Sequence, residues 1–327
     1  MSNSFGTIFR ITIFGASHAE GVGVTIEGVP AGIALNTEMF RADIDRRRPA
    51  LTGETTRQEE DIPIIEGLSP DGKTTGKTIT ITFKNIDKRA GDYSHLRIHP
   101  RPSHADLVQI RKYGDKADIS GGGMASGRMT VALVAAGVVA KKILQNTTFT
   151  TRLIAVNGVA DSSKFNDIIS AAAREGDSVG GVIECRVNGI KPTLGEPFFD
   201  STESVISHLL FSIPGVKGVE FGDGFAGTAK HGSERNDAII DAYGTTLTNN
   251  EGGINGGITN GNDIVLRVAI KPTPSIAKMQ TTYNFECGVT TPLTIGGRHD
   301  ACIARRAVVV VEAMVAVALA DLLLRTV

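Results

Sequence analysis

Residues 307–324 form an apolar run almost long enough to cross a membrane, yet Glu312 and Asp321 fall inside it. A carboxylate left unpaired in lipid is costly, so the run predicts a helix buried in a protein core. Such a helix is apolar nearly all round and must be covered on more than one side. Residues 130–144, rich in small apolar side chains, predict a second helix of the same kind. Elsewhere lie stretches of Val, Ile and Thr punctuated by glycine, which predict strands at 9–14, 22–29, 78–84, 153–159, 181–187, 219–221 and 264–270. The first two read as a hairpin with residues 15–21 as its loop. Further helices are expected at 37–46, capped by Asn36 and stopped by Pro49, at 165–174, and at 203–212, stopped by Pro214. No Pro-, Ser- or charge-rich linker divides the chain, so residues 1–327 are expected to form one α+β domain of two similar strand-helix halves. Its helices should lie between sheets.

Charge excludes some functions. Thirty-four Lys and Arg stand against 35 Asp and Glu, a net charge of −1, which gives no basic face for nucleic acid or a membrane surface. Three cysteines, Cys185, Cys287 and Cys302, are too few for a disulfide framework and point to a reducing compartment. Residues 1–10 lack the apolar run of a secretory leader, so a cytoplasmic protein is expected.

Glycine is abundant, 38 residues of 327, and two of its clusters suggest ligand contact. Gly121, Gly122 and Gly123 precede the expected helix that carries Ser126, Gly127 and Arg128. Free N–H groups at such a junction bind anions, although the same residues also suit a plain tight turn. A second cluster occupies 252–257, and neither matches a P-loop or a dinucleotide fingerprint. Three histidines sit in turn-like loops beside another polar group: His18 with Ser17, His104 with Asp106, and His299 with Arg298 and Asp300. Imidazole moves protons most readily near neutral pH. His95 and His99 are spaced as a helical pair would be, but Pro100 argues against it, and no metal is expected. Arginines recur at 46–48, 101, 128, 298, 305 and 306. They could line a pocket for a polyanion or lie solvated on the surface; the surface reading suits Arg305 and Arg306 better.

Taken together and in order, these segments resemble the chorismate synthase family over essentially the whole chain. The family opening Gly-Glu-Ser-His-Gly is met by Gly15, Ala16, Ser17, His18 and Ala19. Asp-Arg-Arg-Arg-Pro is intact at 45–49 and Arg-Pro-x-His-Ala-Asp at 101–106. Lys112, Tyr113 and Gly114 precede the triple glycine, followed by Val-Ala-Ala-Gly at 134–137. Later come 218–225, 252–257, Lys-Pro-Thr-Pro-Ser-Ile at 271–276, and Gly-Arg-His-Asp at 297–300. The resemblance implies helices sandwiched between two antiparallel sheets, a homotetramer, and an enzyme supplied with reduced FMN by an external reductant. It implies 1,4-anti elimination of phosphate from 5-enolpyruvylshikimate 3-phosphate to give chorismate. In that view the flavin lends electron density as phosphate leaves, and its N5 region takes the C6 proton.

By position in the family, His18 would protonate the departing phosphate and His104 would stand by the flavin. Asp300 would assist proton removal, with Ser17 and Ser126 in the surrounding network. Arg47, Arg48, Arg128 and Arg298 would bind the substrate. Flavin contacts would fall to Met124, Ala125, Ser126, Pro214, Gly215, Gly256, Lys271, Pro272, Thr273, Pro274, Ser275 and Arg298, and a reduced pyridine nucleotide to Arg47. The chain departs from the family at Ala16, Ala19, Met124, Ala125, Pro214 and Gly215, and a second nucleotide arginine is replaced near Gly53. These changes imply weaker flavin binding. The alternative is a weak or inactive paralogue that holds flavin or an anionic metabolite on the same scaffold.

Overall fold

Two antiparallel sheets enclose a layer of helices in the computed structural model, which describes residues 3–87, 93–297 and 299–326. The first sheet contains β1 (Ser4–Phe5), β2 (Arg10–Gly15), β3 (Gly21–Glu27), β4 (Ile64–Glu66) and β5 (Ile79–Lys84), in the order β1-β2-β3-β5-β4. The second contains β6 (Thr148–Val156), β7 (Gly181–Asn188), β8 (Val216–Phe221) and β11 (Ile264–Ile270), in the order β6-β7-β11-β8. Two small hairpins complete the strands, β9 (Ile254–Asn255) with β10 (Ile258–Thr259), and β12 (Gln280–Asn284) with β13 (Val289–Leu293).

The helices are α1 (Glu38–Arg47), α2 (His95–Ile98), α3 (Asp106–Tyr113), α4 (Thr130–Ile143), α5 (Phe165–Arg174), α6 (Thr202–Ser212), α7 (Gly232–Arg235) and α8 (Ile303–Arg325). Helix α4 packs on the first sheet, α8 on the second, and the two helices pack on each other. The crossing is close because α4 carries Gly137 there: a Cβ at that position would lie 2.3 Å from Ala313 Cβ. This is a use of glycine that turn chemistry does not require. Helix α8 is long and apolar enough to span a membrane by length and composition, but the molecule itself buries it.

The two acids that interrupt the apolar run each find partners. Glu312 accepts two hydrogen bonds from Arg46, at 2.9 and 2.8 Å, and a third from Lys141. Asp321 accepts the backbone N–H groups of Thr7, Ile8 and Phe9 at 2.8–3.1 Å, anchoring the start of the chain, and is bonded by Arg325 on its own helix. Buried carboxylates persist only with partners of this kind.

Most expected elements occur with small shifts at their ends. Strand β6 starts earlier than expected and stops at Val156, because Asn157 and Gly158 turn the chain with φ of 50° and 78°. One expectation needs correction. Ser126, Gly127 and Arg128 do not lie inside the helix after the triple glycine; they form a separate 3₁₀ turn, Gly127–Met129, before α4 begins at Thr130. The glycines adopt φ of 56°, 88° and 53°, and this left-handed run prevents helix from starting there.

Candidate functional site

A cavity of about 860 Å³ opens at one edge of the helix layer, within the size range of a small-molecule site. Many segments distant in sequence build it. The β2–β3 loop supplies Ser17 and His18. Asn85, just past β5, holds this loop by donating to the carbonyls of Ala16 and Ala19 at 3.0 and 2.9 Å. Position 16 therefore contributes through its main chain, which Ala supplies as well as Glu would.

The triple glycine is the floor between the two imidazoles. A Cβ on Gly121 would sit 2.3 Å from His18 Cε1, and one on Gly122 would sit 3.7 Å from His104 Cε1. Only a residue without a side chain at 121 leaves room for the His18 ring, whereas at 122 a Cβ would merely touch His104 and it is the φ of 88° that calls for glycine. The His18 ring also packs against Tyr93, with centroids 5.5 Å apart. His104 Nδ1 lies 2.7 Å from Asp106 Oδ1, a contact that sets the ring's orientation and favours a proton on that nitrogen. Asp106 is itself gripped by Arg101 through Nε and Nη2, each at 2.7 Å. Burial would raise the Asp106 carboxyl, but Arg101 and His104 overcome it and hold the group well below the usual carboxylate range.

Arginine dominates the charged part of the lining. Arg47, Arg48, Arg57, Arg128 and Arg306 line the cavity, against the carboxylates of Glu59, Asp61 and Asp300. Helix α1 ends at Arg47 and so delivers Arg47 and Arg48 to the rim. Arg128 donates to Asn85 Oδ1 at 2.8 Å and to Asp61. Arg306, expected on the surface, is instead drawn inside. It bonds Asp300 at 2.9 Å and the Arg47 carbonyl at 2.8 Å, because the first turn of α8 faces the end of α1. Arg305 turns the other way, to Asn166 at 2.8 Å. Asp300 is fixed by both oxygens, the second accepting Thr55 N–H at 2.9 Å.

Of the residues expected at a site, Ser17, His18, Arg47, Arg48, His104, Ala125, Ser126, Arg128, Pro214, Gly215, Lys271, Thr273, Pro274, Ser275 and Asp300 share this cavity. Met124 packs against the core, and Pro272 is not part of the lining. Gly256 does not join them within the chain. Its hairpin is tied to residues 194–202, where Thr202 N–H donates to the Gly257 carbonyl at 2.8 Å. It therefore lies at the end of the second sheet away from Gly215 and Lys271. Arg298 lies outside the described residues.

Arg57, Glu59, Asp61 and Tyr93 line the cavity although no motif above marks them. Arg57 donates to the Ser17 hydroxyl and carbonyl at 3.0 and 3.1 Å and pairs with Glu59 at 2.7 Å. Burial opposes ionisation of Glu59, but the Ile86 N–H and Arg57 outweigh it and keep the carboxyl below its ordinary range. One sequence signal could have found them. Residues 57, 59 and 61 recur at every second position, the spacing that would set side chains on one side of an extended chain, and all three do line the cavity.

The cavity carries buried polar atoms without a partner among the described residues: His18 Nδ1, Arg47 Nε, Thr273 Oγ1 and His299 Nε2. Buried polar atoms normally have partners, so their concentration here marks a surface made for a polar ligand. Burial, reinforced by Arg306 and Arg128, draws Arg47 down to about 9 against the opposing pull of Asp61 and Asp300. The guanidinium remains charged at neutral pH, so this depression measures a buried cation that lacks enough negative charge. The same cavity has an apolar side, formed by Ile213, Ile295, Ile303, Ala307 and Val310.

Comparison with known proteins agrees with this arrangement. The family model for chorismate synthase matches residues 9–324. A chorismate synthase from Chitinophaga pinensis is 51% identical over 323 residues, covering 98% of this chain and 96% of its own. One from Prochlorococcus marinus is 44% identical over 357 aligned positions, covering 99% and 98%. Among solved structures, a crystal structure of chorismate synthase superposes with a TM-score of 0.75 at 25% identity, covering 98% of this chain and 93% of that one. With its helix layer between antiparallel sheets and a match over nearly its whole length, this chain belongs to the chorismate synthase family of lyases.

Proposed function

We propose that the cavity binds 5-enolpyruvylshikimate 3-phosphate beside reduced FMN and expels phosphate by 1,4-anti elimination to form chorismate. The observation that carries the reading is the meeting of five guanidinium groups and two imidazoles in one cavity. The substrate bears two carboxylates and a phosphate, and planar guanidinium groups match both bidentately. Their fixed positions stabilise the charge that builds on the phosphate as its C–O bond breaks. His18, whose Nδ1 is buried without a partner among the described residues, delivers a proton to the leaving phosphate; such acid assistance is typically worth about 10²–10⁴ in rate. Ser17, tied to Arg57 and to the Gly123 carbonyl, holds the loop that carries His18.

Residues 125–126, 214–215, 271 and 273–275 share the cavity with the apolar wall. A ring system with a polar tail fits the side they form, and Thr273 Oγ1 and His299 Nε2 await partners there. Reduced FMN, when bound, supplies the electron density and the proton acceptor that the elimination needs. His104, oriented by Asp106, serves the same side, and Asp300, held by Thr55 and Arg306, provides the carboxylate near the proton that leaves. The reading extends to a homotetramer in a reducing cytoplasm with flavin reduced elsewhere. With substrate, FMN and dithionite under anaerobic conditions, the purified protein is expected to release phosphate, and His18→Ala to lose most turnover. No release where a reference enzyme turns over would reject the reading in favour of a binding protein.

A further inference from the structure

Asp61 does more than line the cavity. Its side chain is 2% exposed. Its φ of 52° lies in the left-handed region, where a residue with a side chain is held only at a cost. That conformation turns the carboxylate between two cations from different elements. Oδ1 accepts from Arg128 Nη1, and Oδ2 stands 3.7 Å from Arg47 Nη2. Arg128 has further acceptors in Asn85 Oδ1 and the Lys84 carbonyl, at 2.8 and 3.3 Å. Arg47 is less well served, since its Nε is buried without a partner among the described residues. One buried negative charge therefore stands between two buried positive ones, in a cavity whose arginines outnumber its carboxylates.

We propose that Asp61 is a positioning residue that stands in for the ligand's anion: its carboxylate holds Arg47 and Arg128 aimed at a shared anion site and competes with an incoming phosphate group for them. The proposal rests on the reading of the cavity as a phosphoester site. Two consequences pull in opposite directions. Without the Asp61 charge, the two guanidinium groups attract an anion more strongly, because a competing charge within about 4 Å in a low-dielectric setting has gone. Without its hydrogen bonds the same groups are less well aimed, so turnover falls. A carboxylate with a merely structural role would lose stability and anion affinity together.

The test uses the full chain and Asp61→Asn, which removes the charge at nearly constant volume. Thermal unfolding is followed as inorganic phosphate is added, with chloride at matched ionic strength as the control. A ligand that binds only the native state raises the melting temperature. Phosphate is expected to stabilise both proteins, with an apparent Kd for the variant lower by roughly tenfold and turnover of the variant reduced. Equal or weaker phosphate binding by the variant, with wild type responding, overturns the role given to Asp61. No response from wild type overturns the phosphoester reading itself, and the inference with it. If Asp61→Asn does not fold in chloride, it is refolded in phosphate. Recovery of cooperative unfolding there supports the competition, and equal failure in both salts refutes it.

Discussion

Arg46 and Arg47 are neighbours on one helix and meet opposite environments. An α-helix turns by about 100° per residue, so the first points to the helix crossing and the second to the cavity. Arg46 meets Glu312 in a two-pronged pair and Asp43 at 3.0 Å, while Lys141 bonds Asp43 at 2.7 Å and also Glu312. Two cations face two anions. The Glu312 hydrogen bond outweighs burial and raises Arg46 further, while Glu312 stays below its ordinary range because Arg46 and Lys141 together overcome the burial that opposes ionisation. Arg47 is fully enclosed and shares its nearest acid, Asp61, with Arg128. The difference teaches how to tell a stabilising buried charge from a functional one. The first has its charge and hydrogen bonds complete within the protein; the second is complete only with a ligand.

The comparison can be broken most directly at its functional half. Arg47→Ala is expected to lower kcat/KM by about 10²–10³, the usual loss when one preorganised donor to a developing anion is removed. Its melting temperature should hold or rise, since an incompletely paired buried cation has gone. A large drop in melting temperature would place Arg47 with Arg46. The structural half is tested by Glu312→Ala, which leaves Arg46 and Lys141 with Asp43 as the one remaining anion between them. It should destabilise by about 3 kcal/mol, the lower end for a broken buried pair because Arg46 still reaches water. The measure is the urea midpoint, and residual activity of the folded fraction should stay near wild type.

The Arg101–Asp106 pair sharpens the contrast, since it borders the cavity but is internally complete. Asp106 is depressed in the folded state, so its contribution is present above the unfolded carboxylate value of about 4 and is lost as pH falls below it. Removing that dependence with Asp106→Asn should cost about 2 kcal/mol at neutral pH and flatten stability against pH on the acid side. An unchanged acid profile would count against the pairing. The smallest effect is expected at the far end of α1, where the Asn36 side chain accepts Met39 N–H at 3.1 Å. Asn36→Ala should cost about 1 kcal/mol or less, read from the same urea midpoint. A larger loss would mean that α1 depends on its cap more than on Arg46.

Elements were legible in the sequence wherever the signal was local. Strand β11 and helix α5 occur at the expected residues, and α8 was visible as a run too apolar for any exposed position. Much of the site was legible too, but through ordered motifs: Ser17, His18, His104, Ser126, Arg128 and Asp300 do converge. The alternation of Arg57, Glu59 and Asp61 belongs to no motif, and nothing within the segment says that β5 and the first loop close over it. Arg306 looked like a surface residue for the same reason, since its partners, Asp300 apart, belong to α1, some 260 residues away.

Hydrophobic period, caps and breakers act over a few residues, so the sequence by itself determined most of the longer helices and strands, though not α3 or the β12–β13 hairpin, and that two helices must be covered by other layers. Which of two adjacent arginines is answered by protein and which is left for a ligand was decided only by the tertiary structure. Charge pairing depends on distance through space, and only packing brings Glu312 to Arg46 while leaving Arg47 and Arg128 to share Asp61.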